Sequence, residues 1–369
     1  MSSDAGLESW LRLTLAPGLG PAKIRELLTR YGLPEQVLAA PSRELAAALP
    51  RTAYEALQSA TLDAAVEQAR EWNDGADSAI VTLGDATYPS RLLEIADPPT
   101  LLYVRGRVDL LNQPSLAIVG SRNATAQGAR NAHRFARAFR DAGLVIVSGL
   151  ALGIDAAAHR GALDGATDGP GSTLAILGTG IDVTYPARHA ALAAEIAARG
   201  ALISEFPLGT QPAAGHFPRR NRLISGLCLG CLVVEAALES GSLITARAAL
   251  DQGREVFAVP GSIHSPLSKG CHALIKAGAK LVESADDVLS ELSALLPHRG
   301  PARPPVASGA AAAGQESPLL ALMGYDPVDL EALRARAGWP AERIAAELLQ
   351  LELAGQVSAL AGGLYQRLH

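Results

Sequence analysis

No stretch of the 369-residue chain is apolar over the ~20 positions that a membrane-spanning helix needs. The first residues also lack the basic-then-apolar pattern of a secretory signal. A soluble, cytoplasmic protein without membrane contact is expected. Cysteine is scarce, with three residues, which argues against a disulfide framework. Two of them, Cys228 and Cys231, are spaced C-x-x-C, but inside an apolar run and without a second pair, so they read as buried small hydrophobes rather than zinc ligands. There is no G-x-x-x-x-G-K-[ST] segment, and in "GTGIDV" Val183 stands where a dinucleotide fingerprint needs its third glycine. A nucleotide-driven motor and a dinucleotide cofactor are both disfavoured, and no cofactor or metal is expected.

Positive charge is also short overall, with a net charge of −5 and a pI near 5.9, which speaks against nucleic acid until its distribution is considered. Between Ala213 and Lys280 there are eight Lys or Arg against four Asp or Glu, and Lys269, Lys276 and Lys280 all fall in this window. Within it lies "GHFPRRNRLISGL" (215–227), where Arg219, Arg220 and Arg222 surround Asn221 just after Phe217 and Pro218. Proline suits a first helical turn. Cations on the positive end of a helix dipole cost a few tenths to ~1 kcal/mol each unless an anion compensates. An anion site with Phe217 as a stacking face follows, since aromatic faces and arginine forks hold single strands without sequence preference. Packing of Phe217 in the core, with an arginine paired to Glu205 or Glu235, is the structural alternative.

Composition divides the chain into a helical N-terminal segment (1–75), a central α/β region (78–296), a Pro/Ala/Gly linker (297–317) and a C-terminal helical segment with a glycine turn (318–369). In the centre, "SLAIVGS" (115–121), "LVIVSG" (144–149), "STLAILG" (172–178), "ALISE" (201–205), "CLVVEA" (231–236) and "EVFAVPG" (255–261) are continuous apolar runs, as in strands covered on both faces. Amphipathic stretches such as "AHRFARAFRDAG" and "ALAAEIAARG" lie between them, each ending in a glycine where a left-handed C-cap is expected. Alternating strand and helix predicts a Rossmann-like, doubly wound and mostly parallel sheet.

Ligands of such a sheet bind beyond the carboxyl ends of its strands. The residues there are Gly120, Ser121 and Arg122; Ser148 and Gly149; Gly178 and Gly180; Glu205; Glu235 followed by Gly241 and Ser242; and Gly261. Small residues that let backbone amides approach, hydroxyl donors and one arginine suit a phosphate-rich ligand. Lys269 joins the set from the basic window. Asp155 and His159, four apart in "GIDAAAHRGA", form either an acid–base pair or a helix cap with its neighbour.

The ends carry weaker signals. "PGLGPAKIRELLTRYG" (17–32) has the look of a helix-hairpin-helix or SAM-like element, with Lys23 and Arg25 placed to help a Gly-x-Gly turn meet phosphate, or else a packing unit. Residues 318–369 outline a winged helix, with Asp329 and Pro340 at helix starts. Its candidate recognition helix (about 340–354) is more acidic than basic, which favours protein over duplex DNA as its partner.

The blocks "AIVGSRNAT", "VSGLALGIDAAAHRGAL", "AILGTGIDVTYP", "ISEFPLGT", "HFPRRNRLISGL", "VVEAALESGSLITARAALDQGREVFAVPGS" and "GCHALIKAGAKLV" together resemble the DprA/Smf family, DNA-processing protein A, over about 78–292. The resemblance implies an extended Rossmann fold that binds single-stranded DNA in a basic pocket as a homodimer. It also implies a non-enzymatic recombination mediator that protects incoming strands and helps load RecA in natural transformation or repair. On the family's pattern, Gly120, Ser121 and Arg122 match its Gly-Ser-Arg loop. Phe217, Arg220, Asn221 and Arg222 match its Phe-Pro-x-Arg-Asn-Arg block, and Gly241 and Ser242 match the turn after the strand near Glu235. Some relatives carry a lysine three residues before the phenylalanine; here Ala214 stands there. The alternative is a hydrolase of nucleoside monophosphates on the same site, with Glu235 or Glu205 as its carboxylate. A transcription regulator acting through the winged helix ranks third.

Overall fold

A computed structural model describes residues 4–165, 172–296, 317–360 and 362–368, so the expected linker lies outside the described residues except for Ser317. The chain packs as two compact units, Met1–Ala124 with Gly128–Ser293, and Thr125–Gln127 with Ala294–His369. The helices of 1–75 therefore lie inside the first unit.

That unit begins with α1 (Asp4–Leu15), α2 (Pro21–Tyr31), α3 (Pro34–Leu38), α4 (Ser42–Ala48), α5 (Arg51–Ala56) and α6 (Ala60–Asn73). Leu62, Val66 and Ala69 repeat at helical spacing and bury one face of α6, whose start is capped by Ser59 Oγ accepting from Leu62 N at 3.2 Å. These helices share a hydrophobic cluster with the sheet residues Tyr103, Ala175 and Leu202.

The sheet strands are β1 (Ser78–Thr82), β2 (Leu101–Gly106), β3 (Ser115–Val119), β4 (Val145–Ser148), β5 (Thr173–Ile176), β6 (Ala201–Ser204), β7 (Gly230–Val233), β8 (Glu255–Ala258) and β9 (Lys280–Leu281). Their order is β1-β2-β6-β5-β4-β3-β7-β8-β9. The six apolar runs are β3 to β8, all parallel. β1 and β2 extend one edge as an antiparallel pair that the sequence reading did not single out, and β9 adds two residues to the other. Between strands run α7 (Ala126–Asp141), α8 (Ile154–Leu163), α9 (Ala190–Arg199), α10 (His216–Gly226), α11 (Ser242–Asp251) and α12 (Lys269–Lys276), with α13 (Ala285–Leu292) after β9. Along β5, Leu174 and Ile176 join Leu223 of α10 and Ala246 of α11, while Ala175 joins Ile196 of α9 and Ala156 of α8. This alternation buries both faces and explains why the runs are continuous.

The glycine closing α7, Gly143, has φ +85° as expected of a left-handed cap. Gly200, after α9, corrects that expectation: its φ is −137°. It is required instead for close approach, because a Cβ there would collide with the carbonyl of Thr173. Consecutive crossovers run from β3 toward β6 on one side and from β7 toward β8 on the other. β3 and β7 thus flank the point where the winding reverses, which leaves a crevice beyond their carboxyl ends.

The second unit contains α14 (Pro318–Met323), β10 (Val328–Asp329), α15 (Leu330–Ala337), α16 (Ala341–Leu353), β11 (Val357–Leu360) and β12 (Leu364–Arg367), with sheet order β10-β12-β11. Asp329 caps α15, its Oδ1 accepting from Ala332 N at 2.6 Å, and Pro340 directly precedes α16, as the sequence predicts. Leu333, Ile344, Leu348 and Val357 form its core. No described helix is long and apolar enough to cross a membrane.

Candidate nucleic-acid interface

The crevice at the winding reversal is a cleft of about 640 Å³. Its floor is the loop after β3. A Cβ at Gly120 would lie 2.7 Å from Ile154 and 2.8 Å from the carbonyl of Glu235, so only glycine lets this turn sit between α8 and β7. Ser121 N donates to Glu235 O at 2.7 Å, and Ser121 Oγ accepts from Asn123 N at 3.1 Å. That double tether turns the next side chain outward. Arg122 is exposed, and among the described residues it makes no ion pair. Its guanidinium carbon stands 5.6 Å from the centre of the Phe217 ring.

The opposite wall is α10 and the start of α11. Phe217, Arg220 and Asn221 line it, and Gly241, Ser242, Ile244 and Thr245 present the first turn of α11. Gly241 and Ser242 bring the positive pole of this helix to the cleft, with Ser240 Oγ accepting from Ser242 N at 3.3 Å. Ser240 and Ser242 share a hydroxyl hydrogen bond of 2.7 Å beside it.

The arginine cluster of α10 is engaged from within. Arg220 is buried and donates to Gly149 O at 2.6 Å and to Ile176 O, crossing beneath the cleft to the ends of β4 and β5. Burial pulls its guanidinium down to about 10, opposed by the attraction of Asp155. A Cβ at Gly149 would collide with that guanidinium, so this glycine makes room for a side chain rather than for a ligand. Arg222 binds Glu205 and Asp97, the latter at 3.4 Å, and Arg219 binds Glu205 at 3.2 Å while lying 5.2 Å from the Phe206 ring. Glu205 is buried, which raises its carboxyl pKa, with Arg222 and Arg219 pulling the other way. The arginine–Glu205 pairing weighed as the structural alternative is therefore present, for two arginines at once.

Of the other residues singled out, Ser148 is buried and donates to Ile118 O at 2.6 Å. Gly178 seats the Phe217 ring, a Cβ there lying 2.9 Å from it, and Gly180 N donates to Thr210 O at 2.9 Å. Lys269 opens α12, exposed and outside the cleft lining. Ala214 lines the cleft without charge.

Asp155 lies at the base of the cleft, accepting from Gly149 N at 3.1 Å and Ala151 N at 3.3 Å. His159 Nε2 accepts from Leu150 N at 3.3 Å. The Thr173 hydroxyl donates to Ile146 O, so it accepts from His159 Nδ1–H at 2.7 Å. Burial lowers the His159 pKa to about 3. The pair holds the 149–151 loop, where Leu150 has φ +57°, instead of aiming a proton at the cleft. Neither Glu205 nor Glu235 lines the cleft.

Sequence reasoning missed Asn123, Ser240 and Ile244 as lining residues; the first two directly adjoin residues it named, so widening each strand-end window by one position would have caught them. Cys228 and Cys231 are fully buried free thiols, and burial raises Cys228 to about 12. No group of described residues could hold a metal ion. Lys23 pairs with Glu26 at 2.7 Å, and Arg25 binds Asp97 at 2.9 Å and Pro98 O at 2.8 Å, so both basic residues of α2 are engaged within the protein.

Comparison with known proteins gives a consistent result. The family model for DNA recombination-mediator protein A matches residues 79–293, and that for the DprA winged helix domain matches residues 303–363. The chain is 43% identical over 310 residues to Protein Smf of Escherichia coli K12, covering 82% of this chain and 81% of that protein. The X-ray structure of DNA processing protein A from Streptococcus pneumoniae superposes with a TM-score of 0.67 at 40% identity, covering 76% of this chain and 95% of that one. A structure of DNA processing protein A from Helicobacter pylori, described by its single-stranded DNA binding mode, gives a TM-score of 0.53 at 29% identity, covering 59% of this chain and 97% of that one.

Proposed function

The chain belongs to the DNA recombination-mediator protein A family, the DprA/Smf proteins, and from that premise we propose that it binds single-stranded DNA in the cleft between β3, α10 and α11. One observation carries this assignment. Arg122 stands exposed and unpaired among the described residues, over Phe217, opposite the first turn of α11. A phosphate between them meets a guanidinium fork and the positive pole of a helix. Phe217, seated on Gly178, offers its ring to a base. Backbone and ring contacts of this kind do not read sequence, so binding with little sequence preference is part of the proposal.

A role in DNA processing and recombination mediation accords with the family. Protection of incoming strands, loading of RecA and action as a homodimer are its finer elements. The Helicobacter relative described by its single-stranded DNA binding mode supports the choice of ligand. A nucleotide hydrolase on the same site is less well supported, because Glu205 is committed to Arg219 and Arg222 and Asp155 to two backbone amides.

The test is fluorescence anisotropy with a labelled dT oligonucleotide and with the matching duplex over a salt series. Expected is tight single-strand binding that weakens steeply with salt and falls about tenfold in Arg122→Ala. Equal binding by wild type and Arg122→Ala would remove the cleft from the mechanism.

A further inference from the structure

Phe217 is not the last aromatic surface in its row. Tyr185 lies beside it, ring centroids 5.6 Å apart and planes tilted by 40°, within the usual range for an aromatic pair. Tyr185 does not line the cleft; it continues the Phe217 surface outward, and 47% of it is exposed. Three residues on stands Arg188, exposed and, among the described residues, without a salt bridge or hydrogen-bonded acceptor for its side chain.

The segment that carries them is anchored at both ends. Ahead of it, Thr179 Oγ1 donates to Val183 O at 2.6 Å. Behind it, buried His189 lies with Nδ1 2.9 Å from Leu150 O, and its backbone N donates to Pro186 O at 2.9 Å. An exposed tyrosine and an unpaired arginine on a tethered stretch, next to a stacking ring, repeat the chemistry of Phe217 and Arg122. Neither residue is needed to complete the core.

We infer that Tyr185 and Arg188 form a second nucleotide subsite, in which Tyr185 stacks the base next to the one on Phe217 and Arg188 meets a backbone phosphate. The inference rests on the single-stranded DNA assignment above. It fixes the path of the strand, which leaves the cleft over the β5 side of α10 instead of running on along α11.

The experiment measures binding of dT oligonucleotides of about 4 and about 12 nucleotides, lengths that bracket usual single-strand sites, for wild type, Tyr185→Ala, Tyr185→Phe, Arg188→Ala and Arg122→Ala. With the longer oligonucleotide, Tyr185→Ala is expected to bind about five- to tenfold more weakly at every salt concentration, as for loss of one stacked base. Arg188→Ala is expected to weaken binding and to flatten the log–log salt slope by about 0.7, one phosphate contact. Tyr185→Phe keeps its π-face and binds as wild type. With the shorter oligonucleotide the losses shrink, because the cleft alone is filled. Tyr185→Ala and Arg188→Ala that bind the longer strand as wild type does, while Arg122→Ala binds it more weakly, would overturn the subsite and leave the cleft standing. Wild type that holds no single strand would overturn both. The two substitutions act by different readouts, so a folding defect in one leaves the other decisive.

Discussion

Arg122, on the loop after β3, and Arg222, on α10, are both arginines beside one cleft, both within motifs rich in small and polar residues. Arg122 is exposed and, among the described residues, meets an aromatic ring and no acid, whereas the side chain of Arg222 is 15% exposed and held between Glu205 and Asp97. Arg220 goes further, buried and spent on two backbone carbonyls. The density of positive charge in a sequence thus locates a site without saying which charge faces the ligand. On α10 the arginines build the wall, and the loop after β3 supplies a cation that has no ion pair among the described residues.

The contrast is broken most severely at Arg220. Arg220→Met leaves the carbonyls of Gly149 and Ile176 unsatisfied and Asp155 without its cation, a loss of about 3–5 kcal/mol of stability that urea unfolding would report. If that variant stays as stable as wild type and loses only DNA, Arg220 belongs with Arg122. Next comes the support beneath the wall. His159 has a folded pKa of about 3 against about 6.5 unfolded, so its contribution is whole above pH ~6.5 and drains as pH falls toward 3, because the unfolded chain takes up a proton that the folded protein refuses. Stability should fall between pH 6.5 and 4.5 by up to ~1.4 kcal/mol per pH unit from this group, and His159→Gln should flatten the slope.

Arg122→Ala lies at the other pole. A melting temperature within a degree or two of wild type is expected, with single-strand affinity down about tenfold and a salt slope about 0.7 smaller. The smallest effect on binding sharpens the contrast from the opposite direction. Glu205→Gln weakens the hold on Arg219 and Arg222, costing about 1–2 kcal/mol of stability, while affinity for dT rises a few-fold and its salt slope steepens. An unchanged slope would mean that these arginines stay turned inward even when released.

The parallel strands were legible because burial on both faces leaves an apolar run with no alternation, as in "SLAIV" and "TLAI". β1 and β2 were not, since "SAIVT" and "LLYVRG" pair at an edge through a long intervening segment that carries no helix-and-glycine rhythm. The winged-helix outline was legible through its caps, Asp329 above all. At the cleft, Gly120, Ser121, Arg122, Gly241 and Ser242 could be found from strand ends, and Phe217 and Asn221 from the basic stretch 215–227. The sequence offered Glu205 as one partner for an arginine but could not say which arginines turn inward or name the rest of their partners. Their partners are Glu205, at the end of β6, Asp97, in the segment before β2, and the carbonyls ending β4 and β5, all set by the order in which strands lie side by side. Gly149 and Gly178 were read as openings for a ligand, but the space they leave is taken by a guanidinium and a phenyl ring from their own chain.

The cleft itself is owed to connectivity. Because the crossovers depart in opposite directions from β3 and β7, no connection covers the gap between those two strand ends, whatever side chains stand there. The vacancy is inherited with the winding, whereas its contents are inherited residue by residue on short loops. On the proposed assignment, a descendant that exchanged Arg122 or Phe217 would give up single-stranded DNA and keep the berth, free to be refitted for another cargo without disturbing a strand.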